Sequence, residues 1–184
     1  MHDVSKSLSG REVLMLLNNK CNLVQYSDVH NIKSIDELLG PYRKCILLYL
    51  TSTNYGHYCA VWEQSVRSTD SNGVAEYNNI IFFFDSYGSK PDSQLNFVPQ
   101  DLKQELNSNH NYLIRLLYNS GKKVEYNQYP LQSRKDGVNT CGRWCVNRLR
   151  FSEISIDDYS QIFKDASKYM SADELICYLV PLTS

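Results

Sequence analysis

The chain has 184 residues, of which 42% are hydrophobic and 21% are charged, and its 19 basic and 20 acidic side chains leave a formal net charge of −1. This length and composition are typical of one globular domain, so we expect a single domain over residues 1–184, and no apolar run is long enough to span a bilayer. The near-zero charge disfavours general nucleic-acid binding, which normally needs a basic excess.

The amino-terminal part of the chain carries two helix-start signals. Ser9 followed three residues later by Glu12 is typical of a capping box, and the apolar stripe after it predicts a helix. Ser34 and Glu37 form a second box, which predicts a short helix that ends at Gly40.

Three strand-like runs follow. Residues 45–50 are continuously apolar, as in a strand buried on both faces, and residues 57–62 and 80–85 are similar. The polar stretch 65–79 is typical of a hairpin tip or surface loop. Because this stretch joins the second and third runs, we expect those strands to be antiparallel neighbours.

The carboxy-terminal half is mainly helical in pattern. Overall, the order of elements predicts an α+β fold with a central mixed, largely antiparallel sheet flanked by helices. The patterns indicate helices over 99–106, 140–150, 157–166 and 171–179, a strand over 123–129, and either state over 112–117.

Cys141 is a candidate nucleophile because it follows Thr140 at the predicted start of a helix. There, unpaired N–H groups and the helix dipole favour a thiolate, which is the reactive form of cysteine. We expect the adjacent Gly142 to leave room for a substrate backbone. The simpler alternative is that Cys141 is one of six ordinary buried cysteines.

His57 and Asp85 are the candidate base and orienting acid. His57 opens the second strand and Asp85 ends the third, so antiparallel pairing would place them at the same edge of the sheet, where the carboxylate can fix the imidazole tautomer. A structural histidine and a turn-initiating aspartate are the alternatives. The other histidines lie in polar segments and are poorer candidates; they are His2, His30 and His110.

Gln132 is a candidate oxyanion donor. It precedes the predicted loop 133–139 that leads to Cys141. Its side-chain amide together with the backbone N–H of Cys141 would form a two-donor site. Cys145 lies four residues after Cys141 on the same helical face and is expected to be core, since no second cysteine pair has metal-ligand spacing. We therefore expect neither a metal nor another cofactor.

Taken together, the ordered residues His57, Asp85, Gln132 and Cys141-Gly142 resemble the adenovirus maturation protease (adenain) family and, more distantly, the ubiquitin-like-protein proteases of the same clan. The resemblance implies an adenain-like fold with the nucleophile at a helix N-terminus. The segments that carry it are 38–40, 57–62, 84–88, 132–133 and 139–145.

The chain departs from these families at three points. Tyr58 follows the histidine where both families usually have tryptophan, and the acid is Asp85, as in the ubiquitin-like proteases, where adenain uses glutamate. The interval from Gln132 to Cys141 is longer than is typical, and Gln128 is the alternative oxyanion donor.

The resemblance also implies substrates and partners. Relatives of adenain in viruses and virus-like elements process capsid or core precursors, often at sites with small residues. Adenain is activated by a viral peptide through a disulfide and by DNA. Cys21, Cys45 or Cys59 would be the acceptor of such a peptide here, and the near-zero charge disfavours a DNA activator.

The leading hypothesis is therefore a cysteine endopeptidase that processes viral capsid or core precursors, with a Cys-His-Asp triad. Alternatives are an isopeptidase acting on ubiquitin or a ubiquitin-like modifier, an acyltransferase, and a non-enzymatic interaction domain. Scattered cysteines and the absence of a secretory signal pattern at residues 1–4 predict a reducing location. With the resemblance, this predicts the virion and the host cytoplasm or viral factory.

Overall fold

The computed structural model describes residues 3–52, 55–69 and 71–182. His2 and one residue of the polar stretch 65–79, Asp70, lie outside these ranges. The helices are α1 (Gly10–Leu16), α2 (Ile35–Leu39), α3 (Gln100–Glu105), α4 (Tyr112–Asn119), α5 (Cys141–Arg150), α6 (Ile156–Ala166) and α7 (Ala172–Leu179). The strands are β1 (Asn22–Gln25), β2 (Lys44–Ser52), β3 (Tyr55–Thr69), β4 (Ala75–Phe84) and β5 (Val124–Tyr126), and two 3-10 turns cover Tyr26–Asn31 and Ser93–Phe97.

One five-stranded mixed sheet forms the centre of the described chain, in the order β1-β2-β3-β4-β5. The three inner strands are antiparallel to one another, while β1 is parallel to β2 and β5 is parallel to β4. The predicted α+β class with a largely antiparallel, helix-flanked sheet is confirmed.

The sheet is covered on both faces, which explains the continuous apolar runs in its inner strands. Tyr58, Ala60 and Trp62 of β3 belong to the core under α1, α5, α6 and α7. The alternating residues Cys59 and Val61 belong to the opposite core, under α2, α4 and the two 3-10 turns. Because residues 57–62 of β3 are buried from both sides, packing fixes the position of His57 near one end of this central strand.

The polar stretch 65–79 is only partly a loop, so that prediction is wrong in its extent. β3 continues to Thr69 and β4 begins at Ala75, and the two pair through Thr69 opposite Ala75. Side chains there are mostly exposed on both faces, so the hydrophobic alternation that marks a strand is absent. The hairpin itself is as predicted.

The first capping box is confirmed and the second is half formed. The hydroxyl of Ser9 accepts from the N–H of Glu12, whose carboxylate accepts from the N–H of Ser9 at 2.7 Å. Ser34 accepts from the N–H of Glu37, but the carboxylate of Glu37 accepts from the N–H of Lys33 instead. Both helices nevertheless start where the sequence predicts.

No helix in residues 3–52, 55–69 or 71–182 is both long and apolar enough to cross a membrane.

Candidate active site

His57 and Asp85 lie side by side at one end of the sheet. Antiparallel pairing sets Ala60 of β3 opposite Phe84 of β4, so the first residues of β3 lie beside the residues that follow β4. There Nε2 of His57 hydrogen-bonds Oδ1 of Asp85 at 2.8 Å, and both side chains are buried. The bond occupies Nε2, which leaves Nδ1 of the imidazole for a second partner.

That second partner is the thiol of Cys141, the first residue of α5. The sulfur lies close enough to the imidazole of His57 and to the backbone N–H groups of Tyr58 and Gly142 for all three to lower the pKa of the thiol. The N–H of Gly142 is one of the unpaired donors at the helix start, where the helix dipole favours an anion. The structure therefore brings the thiol of Cys141 next to the hydrogen-bonded pair of His57 and Asp85.

Gly142 has a packing role, and the expectation that it leaves room for substrate is wrong. A Cβ at this position would lie 3.3 Å from Cβ of Leu8 and 3.3 Å from Cδ2 of Tyr58. Both distances are tighter than ordinary contacts, so the missing side chain lets α5 approach β3 and the amino-terminal segment. The glycine thus helps to bring the thiol of Cys141 to the imidazole.

The environment favours the charged form of all three groups. Burial alone would lower the pKa of His57, but hydrogen bonds to Asp85 and Cys141 and their charges raise this pKa to about 9. Burial alone would raise the pKa of Cys141 and of Asp85, yet the hydrogen bond and positive charge of His57 outweigh it and lower both pKa values. Since the thiol titrates below and the imidazole above its usual range, the arrangement favours a thiolate–imidazolium pair.

Gln94 holds Asp85 in place and was missed by sequence reasoning. Its Nε2 donates to Oδ2 of Asp85 at 2.5 Å, while the backbone N–H of Tyr87 donates to Oδ1 at 2.9 Å. The Asn127 amide pairs with the backbone of Asp85 through both its oxygen and its nitrogen. Gln94 lies in the 3-10 turn Ser93–Phe97, where no periodic sequence pattern marks a functional side chain.

Tyr87 connects the base to the predicted oxyanion donor. Its ring stacks on the imidazole of His57, with centroids 4.7 Å apart and an interplanar angle of 13°. Its hydroxyl accepts from Nε2 of Gln132 at 3.2 Å. Tyr87 therefore restricts the rotation of the imidazole and helps to orient the glutamine.

Gln132 lies in the site, whereas Gln128 does not. Gln132 is buried, lines the same cleft as Cys141 and His57, and accepts from the hydroxyl of Ser86 at 2.7 Å. Because Ser86 engages the amide oxygen, the amide nitrogen is the group turned toward the cleft. Gln128 is exposed and lines a separate groove beside α6.

Asp173 of α7 ties together the two segments that approach the oxyanion position. Its Oδ2 accepts from the N–H of Ser133, and its Oδ1 accepts from the hydroxyl of Thr140 at 2.5 Å and from Nε1 of Trp144 at 3.1 Å. Ser133 follows Gln132, and Thr140 precedes Cys141. Sequence reasoning missed this residue because its partners are 29 to 40 positions away.

The remaining predicted candidates lie elsewhere. His30 hydrogen-bonds the backbone of Ser27, and both His30 and His110 pack against Tyr112 on the opposite core. Cys145 is fully buried, as predicted for a core residue.

The thiols suggested for an activating peptide are all buried. Burial raises the pKa of Cys21 to about 12 and raises the pKa values of Cys45 and Cys59 well above the usual range. Buried thiols of this kind are inert, so a disulfide with a peptide would require this part of the chain to open.

Cys59 forms, with His57 and Asp85, a group whose ligand atoms lie within 4.8 Å of one another. The donor set does not favour a metal, because the imidazole and the carboxylate already bond each other and the raised pKa of Cys59 keeps its thiol protonated. We attribute the short distances in this group to the hydrogen bond by which Asp85 orients the imidazole of His57.

Two cavities meet at Cys141. One, of about 220 Å³, lies on the side of Tyr87 and Gln132, and the other, of about 320 Å³, lies on the side of the amino-terminal segment. Tyr55, Gly56, Asn139 and Cys141 line both. The cleft therefore extends in two directions from the sulfur, and a hydrogen bond between Tyr55 and Asn139 joins its walls.

The chain is similar in sequence to a virophage protein. The chain is 34% identical over 172 residues to Uncharacterized protein V9 of Sputnik virophage. The matched region covers 92% of this chain and 91% of that protein. A solved structure, the crystal structure of the ASFV pS273R protease, matches with a TM-score of 0.49 and 15% identity, over 100% of this chain and 70% of that chain. This likeness is too weak to transfer any residue role. No protein-family model matches.

Proposed function

We propose that this chain, which belongs to the same family as protein V9 of Sputnik virophage, is a cysteine endopeptidase that cuts precursor proteins of a virus particle. The observation that carries this proposal is the thiol of Cys141 at the start of a helix, next to an imidazole that a buried carboxylate bonds at 2.8 Å. A thiolate beside an imidazolium held by a carboxylate is the arrangement that acyl transfer requires.

The proposed reaction has two steps. The thiolate of Cys141 attacks the scissile carbonyl, and the imidazolium of His57 donates its proton to the leaving amine as the C–N bond breaks. A water molecule then attacks the thioester while His57 takes its proton, and the C–S bond breaks to release the acid and restore the thiolate–imidazolium pair. Asp85 keeps Nε2 of the imidazole engaged throughout, so Nδ1 carries the transferred proton.

Gln132 and the backbone N–H of Cys141 are the proposed oxyanion donors. The two bonds of Nε2 of Gln132, to the hydroxyl of Tyr87 and to the carbonyl of Val138, are both 3.2 Å long. A charged oxyanion is a stronger acceptor than a phenol hydroxyl and would take one of these donors.

An endopeptidase is favoured over an exopeptidase by the shape of the cleft. The two cavities lie on either side of Cys141, so a chain can extend in both directions from the scissile bond. The virophage relative and the adenain resemblance support capsid or core precursors as substrates, and the virion or viral factory as the place of action.

Incubation of the protein with capsid and core proteins of its own virus tests this proposal. We expect new amino termini, read by mass spectrometry, that are absent when Cys141→Ala replaces the wild type. A panel of ubiquitin-family fluorogenic substrates serves as the comparison. Release from that panel without cutting of any virion protein would favour the isopeptidase alternative and contradict the maturation role.

The pH profile of cleavage follows from the pKa directions in the site. The thiolate forms above the lowered pKa of Cys141, and the imidazolium persists below the pKa of His57 at about 9. We therefore expect kcat/KM to increase with pH with a midpoint below the usual cysteine pKa of about 8.5. It should then decrease as the pH passes about 9, where His57 loses its proton. A profile that rises only above the usual cysteine value and stays high at more alkaline pH would exclude the ion pair.

Replacement of Gln132 by alanine is expected to reduce kcat by about 10- to 10³-fold with a small change in KM, because the donor acts on charge that develops in the transition state. Gln128→Ala is the matched control, since that side chain lies outside the cleft, and it should retain wild-type kcat. The oxyanion assignment fails if the two variants behave alike.

A further inference from the structure

Arg134 stands at the mouth of the cleft, two residues after Gln132. Its guanidinium carbon lies 4.3 Å from the ring centroid of Tyr87 and 5.5 Å from that of Phe97. The side chain lines the cavity that also contains His57 and Cys141. Two aromatic faces therefore hold an exposed cation beside the thiol.

This cation forms no ion pair within 4.0 Å in the described part of the chain. Its hydrogen bond to the hydroxyl of Ser89 is long, at 3.4 Å. Asp85, the acid of the proposed triad, is buried and already bonded to His57 and Gln94. Apart from the His57–Cys141 ion pair, the other side chains that line this cavity are neutral: Thr51, Tyr55, Tyr87, Gln94, Phe97, Gln132 and Asn139.

The cavity on the opposite side of Cys141 has a different character. Leu8, Leu48 and Leu50 line it, and its one acid, Glu12, is bonded to the N–H and hydroxyl of Ser9. The two arms of the cleft thus differ in charge, with the cation of Arg134 in one arm and leucines beside the carboxylate of Glu12 in the other. A substrate that matches both arms must carry different side chains before and after the scissile bond.

Given the proposed peptidase activity, on which this inference rests, we propose that Arg134 is a specificity-determining residue that binds an aspartate or glutamate side chain of the substrate. The carboxylate lies in the arm of the cleft walled by Tyr87 and Phe97. A guanidinium presents paired N–H donors that match a carboxylate, and the two aromatic faces fix its plane before substrate arrives. Because the aromatic rings already order the Arg134 side chain, it loses less conformational entropy when it binds the carboxylate.

The test is digestion of a proteome-derived peptide library by the wild type, Arg134→Gln, Arg134→Glu and the control Lys135→Glu, with cleavage sites read by mass spectrometry. Lys135 is a neighbouring exposed cation that does not line the cleft. Matched peptides with Asp, Asn or Lys at the enriched position then give ratios of kcat/KM within each variant, so a general loss of activity cancels.

We expect the wild type and Lys135→Glu to prefer Asp over Asn by about tenfold, as for one charge-assisted hydrogen-bonded pair. Arg134→Gln should remove the preference, and Arg134→Glu should shift it to Lys. Cleavage with equal Asp and Asn rates, or an unchanged ratio in Arg134→Gln, overturns the role of Arg134 and leaves the peptidase intact. Absence of any Cys141-dependent cleavage overturns the proposed function and this inference with it.

Discussion

Replacement of Cys141 by alanine is expected to lower kcat by about 10⁴-fold or more, because no other group in the site can form the thioester. The fold should persist, since the change removes one sulfur while the other core residues of α5, Trp144, Cys145, Val146 and Leu149, stay in place. Product formation in a discontinuous peptide assay measures the loss, and circular dichroism with a thermal melt measures the fold.

Cys177→Ala is the matched control for this variant. Cys177 is also buried, but it lies on α7 and lines neither arm of the cleft. Activity within about twofold of the wild type is expected, as for a site that touches no functional group. Cleavage that survives in Cys141→Ala would place the nucleophile elsewhere.

Asp85→Asn is expected to reduce kcat by about 10²- to 10⁴-fold while substrate still binds. An asparagine amide has no charge to stabilise the imidazolium, and if its nitrogen faces Nε2 the imidazole must turn or change tautomer. Gln94 would also lose the carboxylate that its Nε2 contacts at 2.5 Å. Stopped-flow kinetics under single-turnover conditions separates the acylation rate from substrate affinity.

Glu76→Gln is the control for Asp85→Asn, because Glu76 is an acid of β4, the strand that Asp85 follows, and lies far from the cleft. It is exposed on the outer part of the β3–β4 hairpin, opposite Ser68, and should have no effect. An unchanged rate in Asp85→Asn would remove this carboxylate from the proposed machinery.

The inner strands and the helix that carries Cys141 could be predicted because their signals are local. Apolar runs mark β2, β3 and the end of β4, and caps mark α1 and α2. β1 was missed because it has only four residues, all of them half-buried. The predicted strand 123–129 shrinks to Val124–Tyr126, since Asn127 turns inward to pair with the backbone of Asp85.

The contact between His57 and Asp85 was predictable from hairpin geometry, since one strand start must adjoin the other strand end. The same antiparallel argument explains why Tyr87 stacks on the imidazole, although the sequence shows no sign of that contact. Gln94 and Asp173 reach the site from a turn and from the last helix. Their roles depend on tertiary packing, which no pattern in a single sequence reports.

The rate at which iodoacetamide alkylates Cys141, measured against pH and assigned by peptide mapping, tests most directly whether His57 activates this thiol. In the wild type we expect Cys141 to react first among the cysteines, with a midpoint below the usual value of about 8.5, and we expect His57→Ala to move that midpoint upward. The same midpoint in both proteins, or faster labelling of another cysteine, would contradict an imidazole-activated nucleophile.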